Sequence, residues 1–501
     1  MPIHFEAVRN WDEYKGFLRQ FQLDDLLKKV NLVSYSFWPK GMNDMCIGLR
    51  RVQYVVLDPK TKTMKTFSSF CSAWGLIDTA YHAILATHDF RGREVHNRND
   101  LYAICALDWN YHSEAEKTIV DQIGKSPDML SYVMGMSGEQ SKLQNPGLVF
   151  ENAARDMYIL FEIGEKNYSL PVSEIVLQDT GVTWDFLCIS FLLAWKGFAQ
   201  MSTLQEIADR VKWKDEAYKE SFVRAIRQYT VTYDDVRKGK LGRQVFYTKP
   251  YVMTQRKEII SINEFLNLFA YEHCLLWTVR NHYQKDNDQY FVNLFGMMFE
   301  DYVKELFETY LSPDQYERIP ESRNGKRADW RVFIAGYSFL IEQKSSILRL
   351  SAKQQLSDYG AVKQYLKRTV LEAIVQLDDT EQEYQDREYI KVVLLYEDYL
   401  GDGVVKDILT AGGNIERDAR GYWFVTIGEL ERLLHLFYIS PMHGTEVIRN
   451  KHDKDRQHAL NQRRLAGWLN DYDDGENSCL RDGQFAKYNG IEMDLIQKYL
   501  Y

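Results

Sequence analysis

Two apolar runs joined by a two-residue turn signal constrain this chain more than any other stretch. Ala328-Asp329-Trp330-Arg331-Val332-Phe333-Ile334 reads as one strand, Ala335-Gly336 as a turn, and Tyr337-Ser338-Phe339-Leu340-Ile341-Glu342-Gln343-Lys344 as a second strand. Side chains alternate faces along a strand, so Glu342 and Lys344 share one side. A turn centred on Ala335-Gly336 pairs residues whose numbers sum to 671, which sets Ile334 across from Tyr337 and Asp329 across from Glu342. Directly opposed carboxylates have Cβ atoms roughly 4.5–5.5 Å apart, a like-charge arrangement that weakens a sheet. Two acids placed so within otherwise apolar strands predict a divalent cation between them. Oxygen ligands and incomplete protein coordination point to Mg2+.

A helix is predicted just upstream. Phe295, Met298, Phe299, Tyr302, Val303, Leu306 and Tyr310 recur at helical spacing and form one broad apolar stripe. Glu300 follows Gly296 by one turn and borders that stripe, while Asp301, Lys304, Glu305 and Glu308 read as the wet face. From the helix alone Glu300 is a solvated edge residue. Beside the hairpin, it becomes a carboxylate able to reach a metal held there.

Phe295-Gly296-x-x-Phe299-Glu300-x-Tyr302-Val303, then Asp329, then Glu342-Gln343-Lys344, resembles the PD-(D/E)xK nuclease superfamily. The wider pattern is similar to nuclease subunits of prokaryotic anti-phage defence systems. The resemblance covers roughly residues 289–430 and implies a restriction-endonuclease-like α-β-β-β-α-β core. It implies catalytic roles for Glu300, Asp329, Glu342 and Lys344, with the three acids holding Mg2+, or Mn2+ in its place. Ala328 stands where the name-giving proline would be, a position that varies widely in the superfamily. Gln355-x-x-x-Tyr359 resembles an auxiliary motif found downstream of the lysine in some relatives. The implied activity is phosphodiester hydrolysis, on DNA ahead of RNA. The alternative is a non-catalytic interaction subunit that keeps the nuclease-like fold.

Binding of nucleic acid has to come from local patches, because the whole chain of 501 residues carries a net charge of −9. Around the hairpin, Arg318, Arg323, Lys326, Arg327, Arg331, Arg349 and Lys353 supply candidate backbone contacts. A second basic stretch holds Arg237, Lys238, Lys240 and Arg243, with Phe246, Tyr247 and Tyr251 nearby. Basic and aromatic residues together can grip a backbone and stack on bases, though an exposed connecting loop is the plainer reading. A third cluster (Arg449, Lys451, Lys454, Arg456, Arg463, Arg464) reads either as phosphate contacts or, more simply, as a solvated helical face.

Other chemistry is poorly represented. Six scattered cysteines show no C-x-x-C spacing, which argues against a zinc site or a disulfide framework. His82, His88, His96 and His112 fit no metal motif and read as ordinary core or surface histidines. No G-x-x-x-x-G-K-[ST] occurs, so an ATPase or sensor would be a separate partner protein. Homo-oligomerisation stays open. The longest apolar run, Phe186 to Trp195, is too short to span a bilayer and predicts a buried helix core. With no signal pattern at Met1-Pro2-Ile3-His4-Phe5-Glu6, a cytoplasmic location is expected.

The expected organisation is α/β throughout. Residues 1–180 form a mixed α+β N-terminal domain suited to sensing or partner docking, with hairpins at 52–67 and 158–170 and a helix over 76–86. A helical region follows over 181–285, in which Ser261-Ile262-Asn263-Glu264 predicts a capping box opening a long helix. The nuclease domain spans 286–440, with a helix over 361–383 and strands at 390–396 and 422–426. A polar, partly helical extension, 441–501, ends in a short docked helix.

Overall fold

In the computed structural model, the described residues are 10–37, 49–57, 61–87, 91–95, 99–108, 111, 148–200, 202–239, 242–320, 327–346, 367–396, 421–457, 463–473 and 475–501. Helices dominate, and three small sheets are set among them.

The first expected hairpin forms, as β1 (Leu49–Leu57) against β2 (Met64–Ser72), followed by α1 (Ala73–Ala86). The second does not. Residues 158–165 continue α2 (Leu148–Met157) as a π-helical segment, Tyr158–Glu165, and the chain turns only at Ser169, whose φ is +54°. Tyr158, Ile159, Leu160, Phe161 and Ile163 are all buried, and a short apolar run lacking alternation suits a buried helix as well as a strand. Gly164 settles the choice in space: a Cβ there would stand 2.9 Å from the Met298 sulfur, so this helix lies against the next long one.

Residues 183–285 are largely helical, including α3 (Trp184–Phe198), whose apolar run is buried as predicted. Among the described residues no single helix is long and apolar enough to cross a membrane; one bent pair, Val172–Thr180 with α3, passes by length and composition alone. A three-stranded sheet interrupts the region: β3 (Thr230–Thr232), β4 (Tyr251–Met253) and β5 (Ile259–Ser261), separated by α4 (Tyr233–Lys238) and a short 3-10 turn. Because β5 takes Ser261, the expected capping box shifts. Asn263 is the N-cap instead, its side chain accepting from Phe265 N at 3.0 Å, and Ser261 Oγ joins a buried network with Asn31 and Asn267.

The helix so opened, α5 (Glu264–Tyr310), is 47 residues long and passes 285/286 without a break. Its expected wet face is partly covered. Tyr168 Oη donates to Asp301 at 2.9 Å and Tyr158 Oη to Glu305 at 2.8 Å, because the 148–168 segment packs along that side.

Beyond α5 come β6 (Tyr316–Arg318), β7 (Trp330–Ile334), β8 (Tyr337–Lys344), α6 (Glu372–Glu383), β9 (Ile390–Leu395) and β10 (Tyr422–Thr426), giving a five-stranded sheet of order β10-β9-β8-β7-β6. β6, β7 and β8 are antiparallel; β9 joins β8 in parallel and β10 joins β9 in parallel. Trp330, Val332, Ile334, Phe339 and Ile341 face the main core with α5. Leu340 and Val393 face a second core with Ile374 and Leu377 of α6. The expected 361–383 helix is described from Lys367, as a π-helical turn followed by α6.

A capping box of Thr426 and Glu429 opens α7 (Ile427–Ile439), which carries the central buried ion pair. Glu431 accepts from Arg155 Nε and Nη2 at 2.6 and 2.7 Å, from Tyr302 Oη at 2.6 Å and from Asn477 Nδ2 at 2.5 Å. α2, α5, α7 and the C-terminal segment thus meet on one carboxylate that is fully excluded from solvent. The final helix, Ile491–Tyr499, docks as expected, with Tyr499 Oη donating to Asp185 at 2.7 Å.

Two stability predictions follow. Ala335 and Gly336 have φ of +57° and +81°, the double positive φ of a type I′ turn, which an alanine adopts under strain. Ala335→Gly should therefore stabilise the protein by about 1 kcal/mol in urea denaturation; a loss instead would mean the alanine methyl is packed. Glu431→Ala strands the buried Arg155 guanidinium and should cost about 3–5 kcal/mol. A loss below about 1 kcal/mol, typical of an exposed pair, would show that water reaches Arg155.

Candidate active site

The β7–β8 register is the one the turn predicts, Trp330 opposite Ile341 and Ile334 opposite Tyr337. The pairing ends there: Asp329, just before β7, bonds Ile341 and not Glu342 with its main chain, and its carboxyl lies beside that of Glu342 at the sheet's end. Asp329 N donates to Ile341 O at 3.0 Å, and Asp329 O accepts from Ile319 N at 2.9 Å. The carboxylate then turns back on β8, accepting from Gln343 N at 2.8 Å. Glu342, on the central part of the sheet between β7 and β9, is 2% exposed.

Lys344 lies two residues on, on the same face. Its Nζ donates to Glu342 Oε1 at 2.5 Å and to Gln376 Oε1 at 3.0 Å. Gln376 belongs to α6 and completes its own bonding through Nε2 to Arg327 O at 3.3 Å. One turn later Thr380 Oγ1 accepts from Ala328 N at 2.8 Å and donates to Gln376 O at 2.6 Å. Ala328 thus has a use for its N–H, which a proline there would lack. α6 holds both ends of the site: the lysine through Gln376 and the strand before Asp329 through Thr380.

Burial raises the proton affinity of both acids. Asp329 is pushed up to about 6, chiefly by desolvation, against the pull of the Gln343 N–H and of Lys344, and with Glu300 adding to the rise. Glu342 is pushed up to about 8, first by desolvation and then by the charge of Asp329, with Lys344 opposing. Glu342 Oε2 is buried without a hydrogen-bond partner. A carboxylate pair with an orphaned oxygen fits a hard divalent cation, which would both neutralise the charge and fill the vacant bond.

The third acid stands apart. Glu300 comes from α5, on the other layer of the sheet, and forms an ion pair with Arg318. Among the described residues no three histidine, cysteine or acidic side chains are placed to hold one ion. The structure therefore brings Asp329, Glu342 and Lys344 together and leaves Glu300 on α5, paired with Arg318.

The basic residues divide differently from their expected roles. Arg331 pairs with Glu317 and Asp386, bonds Tyr389 and lies 4.4 Å from the Tyr384 ring centroid, so it braces the sheet edge. Arg237 donates to Ile84 O and Thr87 O, and Arg243 pairs with the buried Asp78. Lys238 pairs with Asp234 on the surface, and Arg327 pairs with Glu383 beside the site. In the C-terminal cluster Lys451 is buried over the Trp423 ring, and Arg463 binds Asp471. Lys240, Arg323, Lys326, Arg349, Lys353, Gln355 and Tyr359 lie outside the described residues, as do His88, His96 and His112. His82 is a core histidine, its Nδ1 2.9 Å from Asp108 within a ring of Trp11, Tyr14 and Tyr111. Gln376 is the site residue that sequence reasoning missed. Its only signal was its place in a helix after the lysine strand.

No protein-family model, curated protein or solved structure significantly matches this chain.

The acid pair predicts a pH dependence of known sign. Carboxyls with raised folded-state pKa bind protons more tightly when folded, so their stabilising contribution is complete near pH 4 and is lost as pH rises to about 8. In chelator, wild-type melting should fall across pH 5–8, and Glu342→Gln should flatten that fall. At pH 9 the variant should be the more stable by on the order of 2 kcal/mol. An unchanged slope would remove the acid pair as its source.

Proposed function

We propose that this chain is a metal-dependent nuclease of the PD-(D/E)xK type, hydrolysing phosphodiester bonds in DNA ahead of RNA. The observation that carries the reading is the buried, adjacent Asp329 and Glu342 carboxyls, with the orphaned Glu342 oxygen and with Lys344 bonded to Glu342. The order α5-β6-β7-β8-α6-β9 supports it, being the α-β-β-β-α-β order that the resemblance implies. A role in prokaryotic anti-phage defence rests on the resemblance alone, as does a separate ATPase or sensor partner.

Asp329 and Glu342 are the residues to hold Mg2+ or Mn2+. A bound ion lowers the pKa of its water and offsets charge on the scissile phosphate. Their burial removes competing solvent and makes two adjacent negative charges unstable without a cation. Lys344, held between Glu342 Oε1 and Gln376 Oε1, sets a fixed positive charge beside the acids, where it can orient the attacking water and balance charge developing on the phosphoryl oxygens. Gln376 is a positioning residue: it touches the lysine and leaves the chemistry to it. Arg318 and Arg327 are the described cations best placed to meet a nucleic-acid backbone near the site, whereas Arg237, Arg243 and Arg331 serve the fold.

One observation favours the alternative of a fold kept without turnover, namely the pairing of Glu300 with Arg318. A cleavage assay separates the two readings. Purified chain should cut plasmid, linear duplex, single strands or RNA with Mg2+ or Mn2+, and nothing in chelator. Lys344→Ala should lower turnover about 100-fold or more while nucleic-acid affinity stays within a few-fold, since one charge is a small part of a phosphate-binding surface. Cutting that survives chelator would eliminate the metal mechanism, and full activity in Lys344→Ala would return that lysine to a structural role.

A further inference from the structure

Lys344 closes β8, and both layers packed on the sheet grip it there. α6 fixes the side chain, through Gln376. The main chain is held by Tyr396, the residue after β9. Tyr396 N donates to Lys344 O at 3.1 Å, one step beyond the Lys344–Leu395 pair that ends the β8–β9 ladder. The Tyr396 ring belongs to the core it shares with α5, edge-on to two rings of that helix, with centroids 4.9 Å from Phe295 and 5.3 Å from Phe299. Between those two positions Gly296 lets α5 come close: a Cβ there would stand 3.4 Å from Ser345 Oγ, next to Lys344 in the chain. The Tyr396 hydroxyl donates to Asp156 Oδ1 of α2, and both residues are buried. A strand end is where a ladder opens first. Here that end is tied through one tyrosine to two helices.

We propose that Tyr396 is a positioning residue for Lys344, and that its bond to Asp156 makes helix α2 part of the frame that aims the lysine. The inference rests on the nuclease reading and adds to it a line of control. A shift of α2 that draws Asp156 away loosens the Tyr396 ring, the end of β8 follows, and Lys344 loses its aim between Glu342 and Gln376. Tyr396 and Asp156 are both buried, so the tie acts on turnover and leaves nucleic-acid affinity to the surface cations. The N-terminal region, suited by its sequence to sensing or partner docking, thereby has a route to the cleavage step that needs no contact with substrate.

The test is steady-state cleavage by the full-length chain with Mg2+, on whichever of duplex, single strand or RNA the wild type cuts, well below the melting temperature of every variant. Tyr396→Phe keeps the ring contacts and the N–H and removes only the hydroxyl. It should lower kcat about ten-fold and leave KM unchanged, since a misplacement of 1 Å costs about 100-fold in rate. Asp156→Ala should do the same, and Asp156→Asn, whose Oδ1 still accepts from the phenol, should keep most of the activity. In a Lys344→Ala background Tyr396→Phe should cost nothing further, because no lysine is left to aim. If Asp156→Ala does not fold, Tyr396→Phe and Asp156→Asn carry the test. Wild-type kcat in Tyr396→Phe overturns the positioning role while the nuclease reading stands. So does a loss confined to KM, or an equal further loss in the Lys344→Ala background. Asp156→Asn as impaired as Tyr396→Phe overturns the part given to Asp156. If the wild type cuts nothing with Mg2+ or Mn2+, the nuclease reading fails and takes the positioning role with it.

Discussion

The arrangement depends on one buried carboxylate. Glu431 satisfies its four strong hydrogen bonds with groups from three other segments, so the desolvation that makes a buried charge costly is offset only when all four segments are in place. Such a group specifies an arrangement more than it stabilises one. A bundle of helices with apolar faces has many ways to pack, and few of them bring a guanidinium, a phenol and an amide to one glutamate. Around it the sheet also receives a second tie: Tyr396, which follows β9, donates its N–H to Lys344 O at the end of β8 at 3.1 Å, while its hydroxyl reaches Asp156 on α2. Helix α2 is thus linked through Tyr396 to the main chain of Lys344.

The site itself is built from unfavourable electrostatics held by favourable packing. Two acids are buried side by side against the repulsion that a sheet normally avoids. The strand register, the Gln343 N–H and the two α6 contacts keep them there. A preorganised site of this kind stores its readiness as a raised proton affinity, and any cation that replaces the proton inherits a geometry already formed.

What was legible in the chain was what short range determines. Ala335-Gly336 admits a two-residue turn, the turn admits one register from Trp330–Ile341 to Ile334–Tyr337, and that register places Glu342 and Lys344 on one face; at Asp329 the backbone bond goes to Ile341, one residue out of that register. Strands β9 and β10 were likewise visible from local pattern. Partnerships across long sequence distances were not. Gln376 reaches Lys344 only because α6 docks under the sheet, and Arg237 and Arg243 look like a basic patch until Ile84, Thr87 and Asp78 are seen to bind them. The stretch from Tyr158 misled because a fully buried helix and a buried strand share the same unbroken apolar signature.

The length of α5 has a mechanical meaning. At 1.5 Å per residue, Glu300 lies roughly 54 Å along the axis from Glu264, where the helix starts among β5, Asn31 and Ser34. A rod of that reach is a lever: tilting it by about 1° at its first turn carries the far carboxylate through about 1 Å. Displacements of that order are the difference between a hydrogen bond and none, so packing around residues 31–34 and 259–264 bears on where Glu300 lies as directly as its own neighbours do.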